Sequence, residues 1–319
     1  MNKKFIIVKI IFINIVGIIA LLAGAEFYCQ SMVAINYPEC KTNPYKELRQ
    51  FEDSFPTFEK DWMRKPVGEE YKNEDALVIF GGSFGYGTSL TNENTLSYKL
   101  SKYLKKPVYN RAYPSGSPTQ MLFQLQKTDI FEKIPKVDTV LYVYTEDEMA
   151  RLYKILDCEP SNVFNPRYEI KNGKLERIKT DKNYDKIMKL YVAKELRERV
   201  IEPKLAENQE KTFDLFFEIF KESKAIADKK WNNPKFILLK YPIYRTDRQN
   251  LPDCSEKYTK YKGWERFDEI GITVLDTQSL VGNEVCSAKY VVNPDNDYHP
   301  NEAAWELIIP KLIAKTEIK

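Results

Sequence analysis

The sequence predicts an α/β domain with a doubly wound parallel sheet, and two observations support this prediction. The segments 76–80 and 140–144 are continuous apolar runs, as expected for strands that helices cover on both faces. Between them, leucines recur at helical spacing at Leu96, Leu100 and Leu104. Alternation of strands with helices is typical of a parallel sheet that has helices on both sides.

The other elements continue this alternation along the chain. We predict helices over 95–104, 117–125 and 302–315, and strands over 107–110, 235–240 and 272–276. The region of about 150–230 interrupts the alternation and is predicted to be an insertion in the α/β domain.

The insertion carries two patterns of its own. Residues alternate about Asn172-Gly173, which predicts a β-hairpin over 168–178. From 185 to 230 the pattern is helical, with phenylalanines at 213, 216, 217 and 220 on one face. This helix would either pack on the domain, which we favour, or form a lid over the site or a docking surface for a partner.

The N-terminal region predicts a membrane anchor. Lys3 and Lys4 precede an apolar run at 5–25, and Glu26 follows it. At 1.5 Å per residue the run is about 30 Å long, enough for a bilayer core. The lysines favour an N-terminus in the cytoplasm. The alternative is a signal peptide that is cleaved near Ala-Gly-Ala at 23–25.

The segment 26–75 is predicted to be a stalk or lead-in, because prolines interrupt it and charged residues are dense. The α/β domain is then expected over 76–319. Anchor and signal peptide both place that domain outside the cytoplasm, in the periplasm or at the cell surface. Export permits disulfides, and Cys254 with Cys286 is a plausible pair among the five cysteines.

Charge and composition argue against several classes of partner. The net charge of +3 is too small to suggest nucleic-acid binding. The chain has one histidine and no cysteine–histidine cluster with metal-ligand spacing, so we predict no metal site. No motif indicates a cofactor.

The chain is organised around the stretch Gly81-Gly82-Ser83-Phe84-Gly85, which directly follows the first apolar strand. A strand that ends in a glycine-rich turn with a serine is a common way to present an exposed hydroxyl group. The same turn also occurs with a purely structural serine. Ser83 is therefore a candidate nucleophile that needs a base.

The single histidine, His299, lies near the other end of the chain, in the polar sequence Asp-Asn-Asp-Tyr-His-Pro-Asn at 295–301. A serine nucleophile needs a base, and that base needs a carboxylate to hold its tautomer. If Ser83 is activated in this way, only His299 can serve. Asp297 and Asp295 are the nearby candidates for the acid.

The two motifs, Gly-x-Ser-Phe after a strand and Asp-x-His-Pro-Asn near the end, resemble the SGNH (GDSL-type) hydrolases and acyltransferases, including membrane-anchored bacterial members. The resemblance extends from about residue 76 to the C-terminus. It implies a flavodoxin-like three-layer α/β/α fold, with Ser83 as nucleophile and His299 as base. It also implies an oxyanion hole formed by Ser83 and by a glycine of the second block, which corresponds to Gly116.

The sequence departs from the family pattern in three places. Gly82 stands where the first block usually has aspartate. In the third block, Glu146 or Asp147 lies near the place of the usual asparagine, and an ionised carboxylate can only accept hydrogen bonds. Many members place the acid three residues before the histidine, where this sequence has Asn296. The two-residue spacing of others gives Asp297, which we favour over Asp295.

A rival interpretation uses the same serine. The motif Gly-x-Ser-x-Gly at 81–85 also satisfies the nucleophile elbow of α/β-hydrolases. That fold needs several strands before the elbow, whereas 26–75 shows no convincing strand pair. We therefore prefer the SGNH-like interpretation.

Two functional classes follow from these residues. The first is an exported, membrane-anchored serine esterase or O-acyltransferase that acts on acyl esters, above all acetyl esters, of a glycan or glycolipid. The second is a catalytically impaired SGNH-like module that binds glycan or helps to assemble a cell-envelope export system. The altered third block keeps the second class open.

The anchor can be tested with reporter fusions. A reporter joined after residue 60 should be active only if it functions outside the cytoplasm, because the lysines before the apolar run keep the N-terminus inside. The control is the same fusion without residues 5–25. Activity of a cytoplasm-only reporter in the full fusion would contradict the predicted orientation.

Overall fold

The structure, a computed structural model, describes residues 23–24, 64, 66–72, 74–114, 116–127, 130–152, 166–178, 209–243, 261–295 and 297–318. Most of the predicted anchor at 5–25 and of the lead-in at 26–75 lies outside these ranges. Among the described residues, no helix has both the length and the apolar character that a bilayer crossing requires.

Nine strands and nine helices are described in these ranges. The strands are β1 (Ala76–Gly81), β2 (Val108–Asn110), β3 (Val137–Tyr144), β4 (Tyr168–Lys171), β5 (Lys174–Arg177), β6 (Lys235–Lys240), β7 (Ile272–Asp276), β8 (Val291–Asn293) and β9 (Asp297–Pro300). The helices are α1 (Ser83–Tyr86), α2 (Leu96–Leu104), α3 (Pro118–Lys127), α4 (Ile130–Lys133), α5 (Asp147–Arg151), α6 (Gln209–Trp231), α7 (Arg266–Glu269), α8 (Thr277–Val281) and α9 (Glu302–Thr316).

The central sheet has five parallel strands in the order β2-β1-β3-β6-β7. If only these five strands are numbered in chain order, the order in the sheet is 2-1-3-4-5, which is the flavodoxin-like order. Strand β2 pairs with one side of β1, and β3 pairs with its other side. The predicted parallel α/β fold is therefore confirmed. In such sheets ligands bind outside the carboxyl ends of the strands, beside the point where the order reverses.

Helices cover both faces of this sheet, which explains why the central strand β1 is apolar throughout. Val78 and Phe80 point to the face on which α3 and α6 pack. Leu77 and Ile79 point to the opposite face, where α2 and α9 pack. Because alternate residues of a strand serve opposite faces, a strand between two helical layers has no polar side.

The hairpin predicted within the insertion is confirmed. Strands β4 and β5 pair antiparallel, and Asn172 and Gly173 connect them. Both connecting residues have positive φ, at 50° and 73°. That geometry suits a two-residue turn whose twist matches the strands, and asparagine and glycine adopt it at low cost.

The phenylalanine face of the insertion belongs to the core. Helix α6 begins at Gln209, and the rest of the predicted helical region, 185–208, lies outside the described residues. Phe213, Phe216, Phe217 and Phe220 are all buried in the same cluster as the sheet. The packing interpretation is confirmed for α6, and the lid interpretation is wrong for it.

One strand is longer than its apolar pattern. Strand β3 begins at Val137, three residues before the predicted start at Val140. Asp138 lies within the added segment and forms an ion pair with the buried ammonium group of Lys106. The Asp138 carboxylate therefore lies beside an opposite charge. For this reason the strand can include a charged residue, although the apolar pattern at 140–144 did not extend to it.

Residues of the lead-in pack on the α/β domain. Val67 forms an antiparallel bridge with Val108 of β2. The Arg64 guanidinium donates hydrogen bonds to the carbonyl oxygens of Tyr86, the last residue of α1, and of Gly87 and Leu90 in the loop after it. Arg64 therefore ties the lead-in to the loop that begins at the end of α1.

We expect Arg64→Ala to lower the free energy of unfolding by about 1–3 kcal/mol, because three carbonyl groups lose a charged donor. Lys102→Ala is the control, since its exposed ion pair with Glu70 should contribute little. Urea unfolding of the full-length chain measures both changes. Equal stability of the Arg64 variant and the wild type would show that these three hydrogen bonds do not stabilise the folded protein.

Candidate active site

Ser83 lies at the carboxyl edge of the sheet because the chain turns sharply after β1. Gly81 has a φ of 137°, and a Cβ there would collide with the carbonyl oxygen of Val143 on β3. Only glycine fits this close approach. Ser83 then opens the four-residue helix α1 and is half-buried. As the first helical residue, its amide has no acceptor within the helix.

The Asp297 carboxylate contacts both the ring and the backbone amide of His299. Its Oδ1 lies 2.6 Å from Nδ1 of the His299 ring and accepts a hydrogen bond of 3.2 Å from the His299 amide. In a neutral ring this contact places the proton on Nδ1 and leaves Nε2 free to act as a base. Both side chains are about one-quarter exposed, so solvent can reach them.

The residues around His299 explain why the motif continues with proline and asparagine. Strand β9 ends at Pro300, and Asn301 caps α9 by accepting a hydrogen bond from the Ala304 amide. The side-chain amide of Asn301 also donates to the carbonyl oxygens of Lys289 and Val291. One side chain thus joins the start of α9 to the neighbouring segment and fixes the strand that carries His299.

The structure brings His299 against the helix that begins with Ser83. The ring centroids of His299 and Phe84 lie 5.1 Å apart, and those of Tyr241 and Phe84 lie 5.4 Å apart. Among the described residues, no hydrogen bond joins the Ser83 hydroxyl to the His299 ring. Catalytic contacts of this kind often shorten only when substrate binds.

The electrostatic setting of Asp297 favours its ionised form. Partial burial raises the pKa of the Asp297 carboxyl, but hydrogen bonds from Ser89 and from the ring and amide of His299 outweigh it and lower that pKa below its ordinary value. Asp295, the other candidate acid, is exposed, and its own amide bonds to the side chain of Asn293. Of the two, the structure places only Asp297 at the His299 ring.

Gly116 lies near the serine turn, but its amide points elsewhere. The Gly116 N–H donates to the carbonyl oxygen of Tyr113 at 2.7 Å. In this conformation the amide is already engaged, so it does not offer the oxyanion donor that the family resemblance implies. Its carbonyl oxygen accepts a hydrogen bond of 3.1 Å from Arg151.

The carboxyl group that reaches the serine turn is Glu148. Its Oε1 accepts a 3.1 Å hydrogen bond from the Gly82 amide, and Tyr142 donates to Oε2 at 2.6 Å. Glu148 is completely buried, whereas Glu146 is half-buried and Asp147 is exposed. The sequence analysis singled out Glu146 and Asp147 and missed Glu148.

A helical pattern in the sequence could have identified Glu148. Thr145, Glu148 and Leu152 recur at intervals of three and four residues, which puts them on one face of a helix. All three are buried in the structure. Burial raises the pKa of the Glu148 carboxyl to about 8, and Arg151, Tyr142 and the Gly82 amide only partly oppose this.

The cysteines and candidate metal ligands add little to the site. Cys286 is disulfide-bonded, and its predicted partner Cys254 lies outside the described residues. In the described part of the chain, no three histidine, cysteine, aspartate or glutamate side chains are grouped as a metal site would require.

Comparison with known proteins gives similar solved structures only. No protein-family model and no curated protein matches the sequence. One similar structure is a protein assigned to the lipolytic G-D-S-L family from Desulfitobacterium hafniense, with 14% identity and a TM-score of 0.43, covering 75% of this chain and 98% of that one.

Two further structures show the same likeness. A GDSL-like lipase from Parabacteroides merdae has 11% identity and a TM-score of 0.42, covering 78% of this chain and 98% of its own. The acetylxylan esterase Axe2 from Geobacillus stearothermophilus has 11% identity and a TM-score of 0.40, covering 77% of this chain and 95% of its own. Identities of 11–14% and TM-scores of 0.40–0.43 are too low to assign this chain to a family.

The protonation of Glu148 can be measured through stability. An unfolded glutamate ionises near pH 4.5, whereas the folded Glu148 keeps its proton to about pH 8. Between these values the folded state binds more protons than the unfolded state, so this group's contribution to stability falls as pH rises. The slope should reach about 1.4 kcal/mol per pH unit. The lowered pKa of Asp297 acts with the opposite sign, in acid below this window.

Urea unfolding of the wild type and of Glu148→Gln at pH 5, 6, 7 and 8 isolates this contribution. The wild type should lose stability relative to the variant as pH rises, because glutamine does not titrate. Parallel pH profiles would mean that Glu148 is ionised in the folded protein.

Proposed function

We propose that this protein is a serine ester hydrolase or O-acyltransferase, with Ser83 as nucleophile, His299 as base and Asp297 as the acid that orients His299. The observation that carries the proposal is the 2.6 Å contact of Asp297 Oδ1 with His299 Nδ1, on a ring that packs against the residue after Ser83. A serine on a sharp turn, a histidine and a carboxylate at one sheet edge form the constellation for acyl transfer.

The proton transfers follow from the Asp297 contact. With Nδ1–H directed at the carboxylate, Nε2 of His299 takes the proton of Ser83 as Oγ bonds to the acyl carbon. The imidazolium that forms is stabilised by the ionised Asp297. It then returns the proton to the departing alcohol oxygen, and the ester bond between that oxygen and the acyl carbon breaks. The product is an acyl-Ser83 ester.

The second half of the reaction decides between hydrolase and transferase. His299 takes a proton from an incoming hydroxyl, whose oxygen bonds to the acyl carbon. The imidazolium then gives this proton to Ser83 Oγ as the bond between Oγ and the acyl carbon breaks. Water as the acceptor gives a carboxylic acid, and a sugar hydroxyl gives a new ester. The same acyl-enzyme serves both outcomes, so the accessibility of an acceptor determines which one occurs.

The substrate that fits best is an acetyl ester of a glycan or glycolipid. No long apolar run lines the motif loops in the sequence, which favours a short acyl group. Acetylated polysaccharide and glycolipid are therefore the first substrates to assay.

The proposed location is outside the cytoplasm, with the chain held in the membrane through residues 5–25. The apolar run with lysines before it supports an anchor. The disulfide at Cys286 supports an oxidising compartment, since cytosolic thiols are normally kept reduced.

A second candidate function is a non-catalytic module that binds acylated glycan, or helps to assemble a cell-envelope export system. The hydrogen bond from the Gly116 amide to Tyr113 favours it, because that amide is not offered to an oxyanion. Loss of one oxyanion donor typically lowers kcat by about 10²–10³-fold. The protein would then bind acylated glycan without hydrolysing or transferring its acyl group.

We expect Ser83→Ala and His299→Ala each to lower kcat for nitrophenyl acetate by roughly 10⁴-fold or more, and the double variant to lose little beyond that, because the pair acts as a unit. Asp297→Asn should lower kcat by about 10⁴-fold, since the imidazolium loses its counter-charge and the ring its tautomer. Steady-state kinetics measure kcat for each variant, and labelling with a fluorophosphonate probe measures the reactivity of Ser83.

Two controls accompany these variants. Asp295→Asn changes an exposed neighbouring carboxylate, and Ser279→Ala removes an exposed serine on α8. Both should retain most of the activity. Failure of the folded wild type to react with the probe or with any acyl ester would leave the binding module as the better account.

A further inference from the structure

Two glycine-containing turns meet at the carboxyl edge of the sheet. One carries Gly82, directly before Ser83, and the other carries Gly116, between β2 and α3. Helix α5 follows β3 and lies against both of them. Glu148 accepts a hydrogen bond from the Gly82 amide at 3.1 Å, and Arg151 donates to the Gly116 carbonyl oxygen at 3.1 Å. One short helix therefore contacts both sides of the site.

Glu148, Arg151 and the Gly116 carbonyl group all lie close to the Cα atom of Gly82. A Cβ placed on Gly82 would lie 2.9 Å from Glu148 Oε1, 3.1 Å from Arg151 Nη1 and 3.4 Å from the Gly116 carbonyl oxygen. Gly82 itself has extended backbone, so the need for glycine here is one of space and not of dihedral angle. The space that a side chain at 82 would take is occupied by the two side chains of α5.

Burial determines what Glu148 can do. It has no exposed surface, and its second oxygen is held by Tyr142 of β3. A substrate that enters from solvent cannot touch it without rearrangement of the turn. Glu148 is therefore not a catalytic residue, and any effect on the reaction must pass through the position of Gly82 and Ser83.

We propose that Glu148 and Arg151 are positioning residues for the reaction, which together hold the Ser83 turn at a set distance from the Gly116 loop. This inference rests on the proposed esterase or acyltransferase function. The pair contacts the backbone directly before Ser83 and the backbone of the Gly116 loop, so it controls the alignment of the nucleophile and not the affinity for substrate. The raised pKa of Glu148 agrees with a neutral carboxyl group that serves as a fixed hydrogen-bond partner.

The experiment compares Glu148→Gln, Glu148→Ala, Arg151→Ala and the double alanine variant in the full-length chain. Glutamine keeps an acceptor for the Gly82 amide and copies a neutral carboxyl group, so it should retain kcat within about threefold. Each alanine variant should lower kcat by roughly 10²-fold with KM changed less than threefold, because small misplacements of reacting groups have effects of this size. The double variant should lose little more than either single one, since both act on one alignment.

Two controls separate positioning from general stability. Glu132→Ala removes an exposed glutamate of α4 and should leave kcat unchanged. All variants are assayed at a temperature well below their unfolding midpoints, and the rate of phosphonylation of Ser83 by a fluorophosphonate is measured beside kcat. A purely structural role would lower the unfolding temperature and leave the phosphonylation rate of the folded fraction unchanged.

The outcomes distinguish this inference from the proposed function. A wild type that neither turns over esters nor reacts with the probe overturns the proposed function. A wild type that reacts, with Glu148→Ala folded and phosphonylated at the same rate, overturns the positioning role. If Glu148→Ala does not fold, Arg151→Ala decides, because its side chain is only partly buried. An unchanged rate in that variant also overturns the role, and a rate about 10²-fold lower supports it.

Discussion

The site depends on the close approach of β1 to β3 at Gly81. The carbonyl oxygen of Val143 leaves no room for a side chain there, and the positive φ of Gly81 turns the chain out of the sheet. This turn places Ser83 at the carboxyl edge, beside the point where the strand order reverses. The same approach brings the end of β3 beneath the turn, so α5 and Glu148 contact Gly82 without any long loop.

The two carboxyl groups of the site lie in opposite environments. Asp297 is partly open to solvent and receives several hydrogen bonds, which keep it ionised beside His299. Glu148 is completely buried, which favours its neutral form at the same pH. Environments that push two pKa values apart allow like groups to take different tasks. In the proposed reaction, one stabilises a charge that forms on His299, while the other maintains the shape of the serine turn without adding a charge.

Local signals in the sequence determined much of the fold and part of the site. Continuous apolar runs identified β1 and β3, because strands covered on both faces have no polar side. Asn172-Gly173 identified the hairpin, because both residues accept the positive φ that its turn requires. Ser83 and His299 became candidate site residues because of their immediate neighbours, a glycine-rich turn and a polar loop. Each of these features is set by residues only a few positions apart in the chain.

Tertiary structure decided which side chains meet at that site. Three consecutive carboxyl residues follow β3, and only the packing of α5 turns Glu148 inward and leaves Asp147 exposed. The Arg151 guanidinium donates to the Gly116 carbonyl oxygen, and Arg64 reaches the loop after α1 from outside the predicted domain. Such contacts join residues that are distant in sequence, and they exist because the parallel strand order brings the carboxyl ends of β1, β2 and β3 to one edge. Composition and periodicity report which residues are apolar or flexible, but not which distant backbone groups a buried side chain will face.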